Sequence, residues 1–409
     1  MHDTPGHEMS SDRVAASADR LTELDALRGL AAFAVLLQHA HQLVPPIAHP
    51  DIPGIGFLRY TLLNLTPLRM LEVGRPAVLF FFVLSGYVLM RALLASGSPG
   101  LAAFAAQRTI RLGLPVVVSV LLSVLLYWLV ADPDLPEAWR PYSLFTWLVP
   151  PTLEQVVTNA LLVANNDTMR LNIVLWSLVH EWRLTVLLPL LLVFRGRVAL
   201  FLALVLAVSV LGIMGGAAEN RVLLGTQFHS TVMATMYFAG GIGAGVALAL
   251  AFPAELPRLD RMQTLAAAIA CFALFSMASD IAVYGGAVLL ILLARQPGRF
   301  RTALRVPLLA GLGRISYSLY LVHVPVLVAC LHLLHDSLHP VAVAALGVGA
   351  ALVAGVAMNL LVESPSRRLA RRVEKRLAQP GWRLPTPERR AAPPKRDWSP
   401  EGGMWDAVR

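Results

Sequence analysis

The chain has 409 residues, 56% of them hydrophobic and 14% charged, with a mean hydropathy of +0.64. Soluble domains carry about 25% charged residues, so this composition excludes a water-soluble protein and makes a lipid-facing surface the default. The net charge of +9 has to be mapped onto the two sides of a bilayer before nucleic acid is invoked, and the two cysteines, Cys271 and Cys330, lie in apolar runs that offer neither a disulfide framework nor a cysteine-built metal site.

Residues 1–23 carry Asp3, Glu8, Asp12, Asp19 and Glu23 without an apolar core, and read as a cytoplasmic N-terminal segment rather than a signal peptide. A helix needs roughly 20 apolar residues to cross hydrocarbon. Ten windows approach that length: 24–44, 76–95, 112–130, 173–194, 198–214, 232–252, 262–278, 281–294, 310–331 and 341–362. The expected fold is therefore all-α, a polytopic membrane protein of about ten transmembrane helices with cytoplasmic N- and C-termini. The distribution of basic residues fits that alternation: 25 of the 34 Lys and Arg fall on the side of the N-terminus, six on the other and three within spans. The loops 45–75 and 131–172 are the longest outer connections. The second holds Trp139, Tyr142, Trp147, Pro150 and Pro151, the composition of a structured loop or a re-entrant cap. Residues 364–409 read as a basic, Pro-rich disordered cytoplasmic tail whose basic part leans on anionic lipid.

Ionisable groups inside apolar spans are costly and need a partner, a wet cavity or a task. Arg28 and His39 lie 11 residues apart in the first window, which leaves about 20° of residual rotation and about 16 Å of rise. They share one face at two depths. Arg28 near the inner end is either an anion ligand oriented by Asp25 or a snorkelling anchor; His39, toward the outer leaflet, is either a general base or a hydrogen-bonded packing residue. Glu181 stands near mid-membrane in the fourth window, after Trp176 and Ser177, where a carboxylate either orients an imidazole or is kept neutral by burial. Arg108 and Arg111, one turn apart before the third window, form either a forked phosphate clamp or a positive-inside anchor. Arg314, Ser316, Tyr317 and Tyr320 enter the ninth window from the same side, followed by His323 and Pro325, and Glu363 closes the tenth. Ser85, in a Ser-Gly pair of the second window, reads as helix packing before nucleophile. His332, His335 and His339 with Asp336 only weakly resemble a metal face, and no metal site is expected.

Taken in order, these segments resemble the integral membrane acyltransferase-3 family, bacterial enzymes of the surface-polysaccharide O-acetylase type. LDALRGLAAFAVLLQHA carries its Arg, ten residues, His signature at Arg28 and His39. GRPAVLFFFVLSGY at 74–87 is similar to its second-helix signature, and Arg108, Arg111 and Pro115 to its cytoplasmic Arg-x-x-Arg motif. Trp176, Ser177, Leu178 and Glu181 resemble its Trp-Ser-Leu-x-x-Glu element. GRISYSLYLVHVP at 313–325 and VESP at 362–365 resemble its closing motifs. The chain departs from the family after the glutamate, where Leu184 and Thr185 replace the usual aromatic pair and Arg183 stands beside them.

The resemblance implies a membrane O-acyltransferase domain over 24–363, in the inner membrane. It would move an acyl group, acetyl first among candidates, from cytoplasmic acyl-CoA to a hydroxyl of a carbohydrate, lipid-linked sugar or small natural product. Acyl-CoA is then a co-substrate and no cofactor is bound permanently. Arg108 and Arg111 would meet the CoA phosphates, with Arg28 inside the entrance and Arg314 and Glu363 as further donor-binding residues. His39, supported by Glu181, would act as base or acyl relay at the end of a conduit. Asp25, Ser85, Trp176, Ser316, Tyr317 and His323 would support the site, nucleic acid is not expected as a partner, and the sequence does not speak to oligomeric state. A different class fits the same charges: a proton-coupled carrier of an anionic solute, with Arg28 as its binding site and His39 and Glu181 as relay.

Overall fold

The computed structural model describes residues 21–44, 73–97, 100–132, 134–136, 146–165, 168–217, 224–277 and 279–378. These hold thirteen α-helices and no strand. In chain order they are α1 (Thr22–His41), α2 (Gly74–Ser96), α3 (Leu101–Val130), the short α4 (Leu153–Ala160) and α5 (Leu175–Thr185), followed by a 3-10 helix at Leu188–Phe194. Then come α6 (Val198–Met214), α7 (Phe228–Ala251), α8 (Arg261–Ser276), α9 (Asp280–Arg295), the short α10 (Arg299–Leu304), α11 (Pro307–Leu334), α12 (Pro340–Met358), a π-helical turn at Asn359–Glu363, and α13 (Ser364–Leu377).

Helices occupy all ten apolar windows. Among the described residues five helical stretches are long and apolar enough to cross a bilayer alone, α12 counted together with α13, and up to six do when α5 and the 3-10 helix, bent by 50° at their junction, are taken as one span. The break has a local cause: Pro189 at the start of the second piece has no N–H to return to the carbonyl one turn back. The chain is a multi-pass membrane protein. In α6 the sequence is apolar throughout, yet only Phe201 and Gly212 are buried, an arrangement that water would penalise and lipid tails accept.

The inner helices approach closely where side chains are absent. A Cβ on Gly245 of α7 would meet the backbone oxygen of Val83 on α2, and one on Gly313 of α11 would meet that of Asp25 on α1. Gly245→Ala is therefore expected to force α2 and α7 apart at a cost of about 1–3 kcal/mol, read as a lower melting temperature of the detergent-purified protein.

Ion pairs tie the bundle at both ends. At one end Glu23, fully buried, sits among Arg295 at 2.5 Å, Arg301 at 3.5 Å and Arg305 at 3.2 Å. At the opposite end of α9, Asp280 takes Arg75 through two hydrogen bonds and the Tyr237 hydroxyl at 2.7 Å. The proline inside α11 is accommodated by polar partners as well. Pro325 leaves the Leu321 carbonyl without its helical donor, and Ser119 Oγ at 3.1 Å and Asn172 Nδ2 at 2.7 Å donate to it instead.

Residues 364–377, expected to belong to a disordered tail, are helical. The π turn carries α12 directly into α13, where small residues four apart, Ser366 and Ala370, bury against the bundle while Arg368, Arg371 and Arg372 stay outside. Ser366 Oγ donates to the Ile110 carbonyl of α3 at 2.9 Å. Amphipathic spacing thus orders a segment whose mean composition is too polar to suggest it. Residues 1–20, most of the 45–75 loop, Trp139, Tyr142 and 379–409 lie outside the described residues.

Candidate active site

A cavity of about 460 Å³ lies between α1, α2, α3, α5, α11 and the junction of α12 with α13. Ten of the thirteen residues singled out in the sequence line it: Asp25, Arg28, Ser85, Arg108, Arg111, Glu181, Arg314, Ser316, Tyr317 and Glu363. Two arginines not assigned to the site beforehand, Arg91 and Arg367, line it too, so six guanidiniums face three carboxylates. Among the described residues, the guanidiniums of Arg28, Arg111 and Arg314 make no hydrogen bond or ion pair. Arg111 sits in the field of Arg108, Arg28 and Arg367, offset by Glu363. Cations held together without enough counter-charge make an anion site.

The other charges are committed. Arg108, only 3% exposed, reaches Glu181 Oε1 at 3.2 Å and Thr185 Oγ1 at 3.1 Å. Ser85 Oγ donates to the same carboxylate oxygen at 2.9 Å. Thr185, where the family pattern has an aromatic residue, is therefore the hydroxyl that completes the Arg108 cradle, and it donates back to the Glu181 carbonyl at 2.6 Å. Glu363 is held in the π turn: Ser318 Oγ at 2.5 Å and Asn359 Nδ2 at 2.9 Å donate to Oε2, and Arg367 approaches Oε1 at 3.4 Å. A π turn widens the helix locally and places these groups where a regular turn would not.

The cavity runs inward from these charges to an aromatic floor. Tyr317 donates to the Leu112 carbonyl at 2.9 Å. Deeper, Tyr320 meets Phe81 edge to face with centroids 5.9 Å apart, and its hydroxyl lies 2.7 Å from Ser177 Oγ. Beyond Tyr320, at 5.9 Å between rings, stands His323. Its Nε2 is 2.9 Å from Nδ1 of His39.

Two expectations change here. His39 does not line the cavity; Phe81, Tyr320 and His323 separate it from the arginines, because bulky rings fill the level at which the conduit was expected to continue. Nor does Glu181 support His39: its carboxylate is taken by Arg108 and Ser85, while the imidazole's hydrogen-bond partner is His323. Depth along a helix is readable from sequence, but the azimuth that selects a partner across the bundle is not. Trp176 stands off the cavity, packed on Phe82 and Phe238. His180 is fully buried with Nδ1 2.9 Å from Thr235 Oγ1. Arg91 and Arg367 escaped notice because each reads as an ordinary interfacial anchor; the turn-by-turn spacing of Arg367 from Glu363 was the signal available. Among the described residues no group of His, Cys, Asp and Glu has the arrangement of a metal site.

A family model described as an acyltransferase domain, that of acyltransferase-3, matches residues 21–360. No curated protein and no solved structure matches.

Proposed function

The chain belongs to the acyltransferase-3 family and is a membrane acyltransferase for groups other than aminoacyl groups, and from that premise we propose that it carries an acyl group from cytoplasmic acyl-CoA to an acceptor hydroxyl. The observation that carries this reading is the set of three guanidiniums, Arg28, Arg111 and Arg314, that line one cavity without a hydrogen-bond or ion-pair partner among the described residues. A nucleotide thioester brings several phosphates and a narrow flexible arm. The phosphates neutralise the arginines at the mouth, and the arm lies along Ser85, Ser316 and Tyr317 toward the aromatic floor. The arginine-rich end then faces the cytoplasm of an inner membrane, in keeping with the distribution of basic residues.

In this reading His39 is the base. The acceptor oxygen attacks the thioester carbonyl as its proton passes to the imidazole; the carbon–sulfur bond breaks, and the departing thiolate takes the proton to leave as CoA thiol. Parting of Phe81 from Tyr320 is required for the thioester to come within reach, and a dry passage then protects it from hydrolysis. Glu181 serves the mouth, holding Arg108 in place. Sugar hydroxyls are the leading acceptor class and acetyl the leading acyl group.

The test uses purified protein in lipid nanodiscs or proteoliposomes, with radiolabelled acetyl-CoA and a panel of glycan and small-molecule hydroxyl acceptors. Label should move to an acceptor with matching release of CoA thiol. Counterflow of an anionic solute with the thioester intact would overturn the reading in favour of a carrier.

A further inference from the structure

We propose that His323 is a positioning residue that locks the proton of His39 onto Nδ1 and leaves Nε2 bare as the basic atom. The inference rests on the reading of His39 as the base and deepens it. It follows from a chain of three groups: His39 Nδ1 to His323 Nε2 at 2.9 Å, and His323 Nδ1 to the Leu319 carbonyl at 3.1 Å. A carbonyl oxygen only accepts, so His323 must carry its proton on Nδ1 to make that contact. A neutral imidazole has one proton; His323 Nε2 is then a lone pair, and His39 must donate to it from Nδ1. The opposite assignment would set two lone pairs against each other at the carbonyl. Among the described residues His39 has no other hydrogen bond, so its Nε2 is unclaimed.

The surroundings hold His323 in that pose. It is fully buried, its ring lies within 24° of the plane of His39, and Tyr320 packs against it with centroids 5.9 Å apart. The turn that carries it is pinned by Ser119 and Asn172 on the Leu321 carbonyl. The arrangement gives the orienting effect that a carboxylate supplies in other nucleophile–base relays, but it ends in an amide oxygen that cannot take a proton away. The acceptor's proton therefore lands on Nε2, and the imidazolium shares its charge with His323 through Nδ1.

Histidine-selective 15N solid-state NMR of the protein in lipid, with His39 assigned by its absence in His39→Gln, reads the tautomer directly. The wild type should show Nδ1 protonated and Nε2 bare. His323→Leu should give mixed tautomers, with kcat lower by about 10- to 100-fold and KM for acyl-CoA unchanged. His323→Gln, whose Oε1 accepts the same hydrogen bond, should recover most of the rate. A wild-type His39 protonated on Nε2 overturns the proposal, as does a glutamine variant no faster than the leucine one. If His323→Leu does not fold, the wild-type spectrum and the glutamine variant still decide. An active His39→Ala would instead remove the base assignment and leave the tautomer result standing, so the two failures are distinguishable.

Discussion

Replacing His39 by alanine is expected to abolish acyl transfer while the protein still inserts, folds and binds its donor. A positioned base contributes about 100- to 10,000-fold to rate, and the neighbouring imidazoles are engaged elsewhere: the His323 ring is committed at both nitrogens and His180 Nδ1 is bonded to Thr235. Folding should survive because α1 is held to α11 by the close approach at Gly313 and to α9 and α10 by the Glu23 cluster, neither of which involves the imidazole. His39→Gln is the sharper variant. Its amide can still donate to His323 Nε2, so packing and hydrogen bonding persist while basicity is gone. The measurement is acyl-CoA-dependent product formation per folded protein, alongside thermal melting and CoA binding. Loss of product with melting and binding unchanged is the expected result; wild-type product from His39→Gln would remove the imidazole from the chemistry.

What sequence disclosed here and what it withheld divide along one physical line. Apolar runs and proline or glycine punctuation are local, so the helical segments were legible, α6 at 198–214 to both ends, although α3 begins at Leu101, well before its window at 112–130. Arg28, Arg108 and Glu181 stood out because ionised groups in hydrocarbon demand explanation. Partnerships were not local. Glu23 meets Arg295, 272 residues away, and His39 meets His323 across 284. The 50° break after α5 follows Glu181 closely, and helical periodicity extrapolated through the whole window misses the change of course that Pro189 imposes. The α13 segment was hidden by its average: six basic residues in 364–377 mask a buried Ser366 and Ala370.

The two arginines of the Arg-x-x-Arg motif are expected to fail differently when removed, because among the described residues one is a structural partner and the other makes no hydrogen bond or ion pair. Arg108 is the cation of a pair whose acid, Glu181, is 16% exposed. Deleting one member of such a buried pair costs about 3–5 kcal/mol, since the other is left charged in apolar surroundings. Arg108→Ala should therefore show a depressed melting temperature and a poor folded yield together with loss of activity. Adding Glu181→Gln removes the stranded charge while keeping an acceptor for Ser85 Oγ, so the double variant should regain much of the melting temperature without regaining full donor affinity. Among the described residues Arg111 has no hydrogen-bond or ion-pair partner to strand. Arg111→Ala even relieves its repulsion with Arg28, Arg108 and Arg367, so its melting temperature should be unchanged or slightly higher, while KM for acyl-CoA rises by about tenfold or more, the loss of one charge-assisted contact to phosphate. Melting curves and steady-state kinetics on the three variants separate the roles. Wild-type stability in Arg108→Ala would refute the pairing argument, and an unchanged KM in Arg111→Ala would mean that the phosphates bind elsewhere.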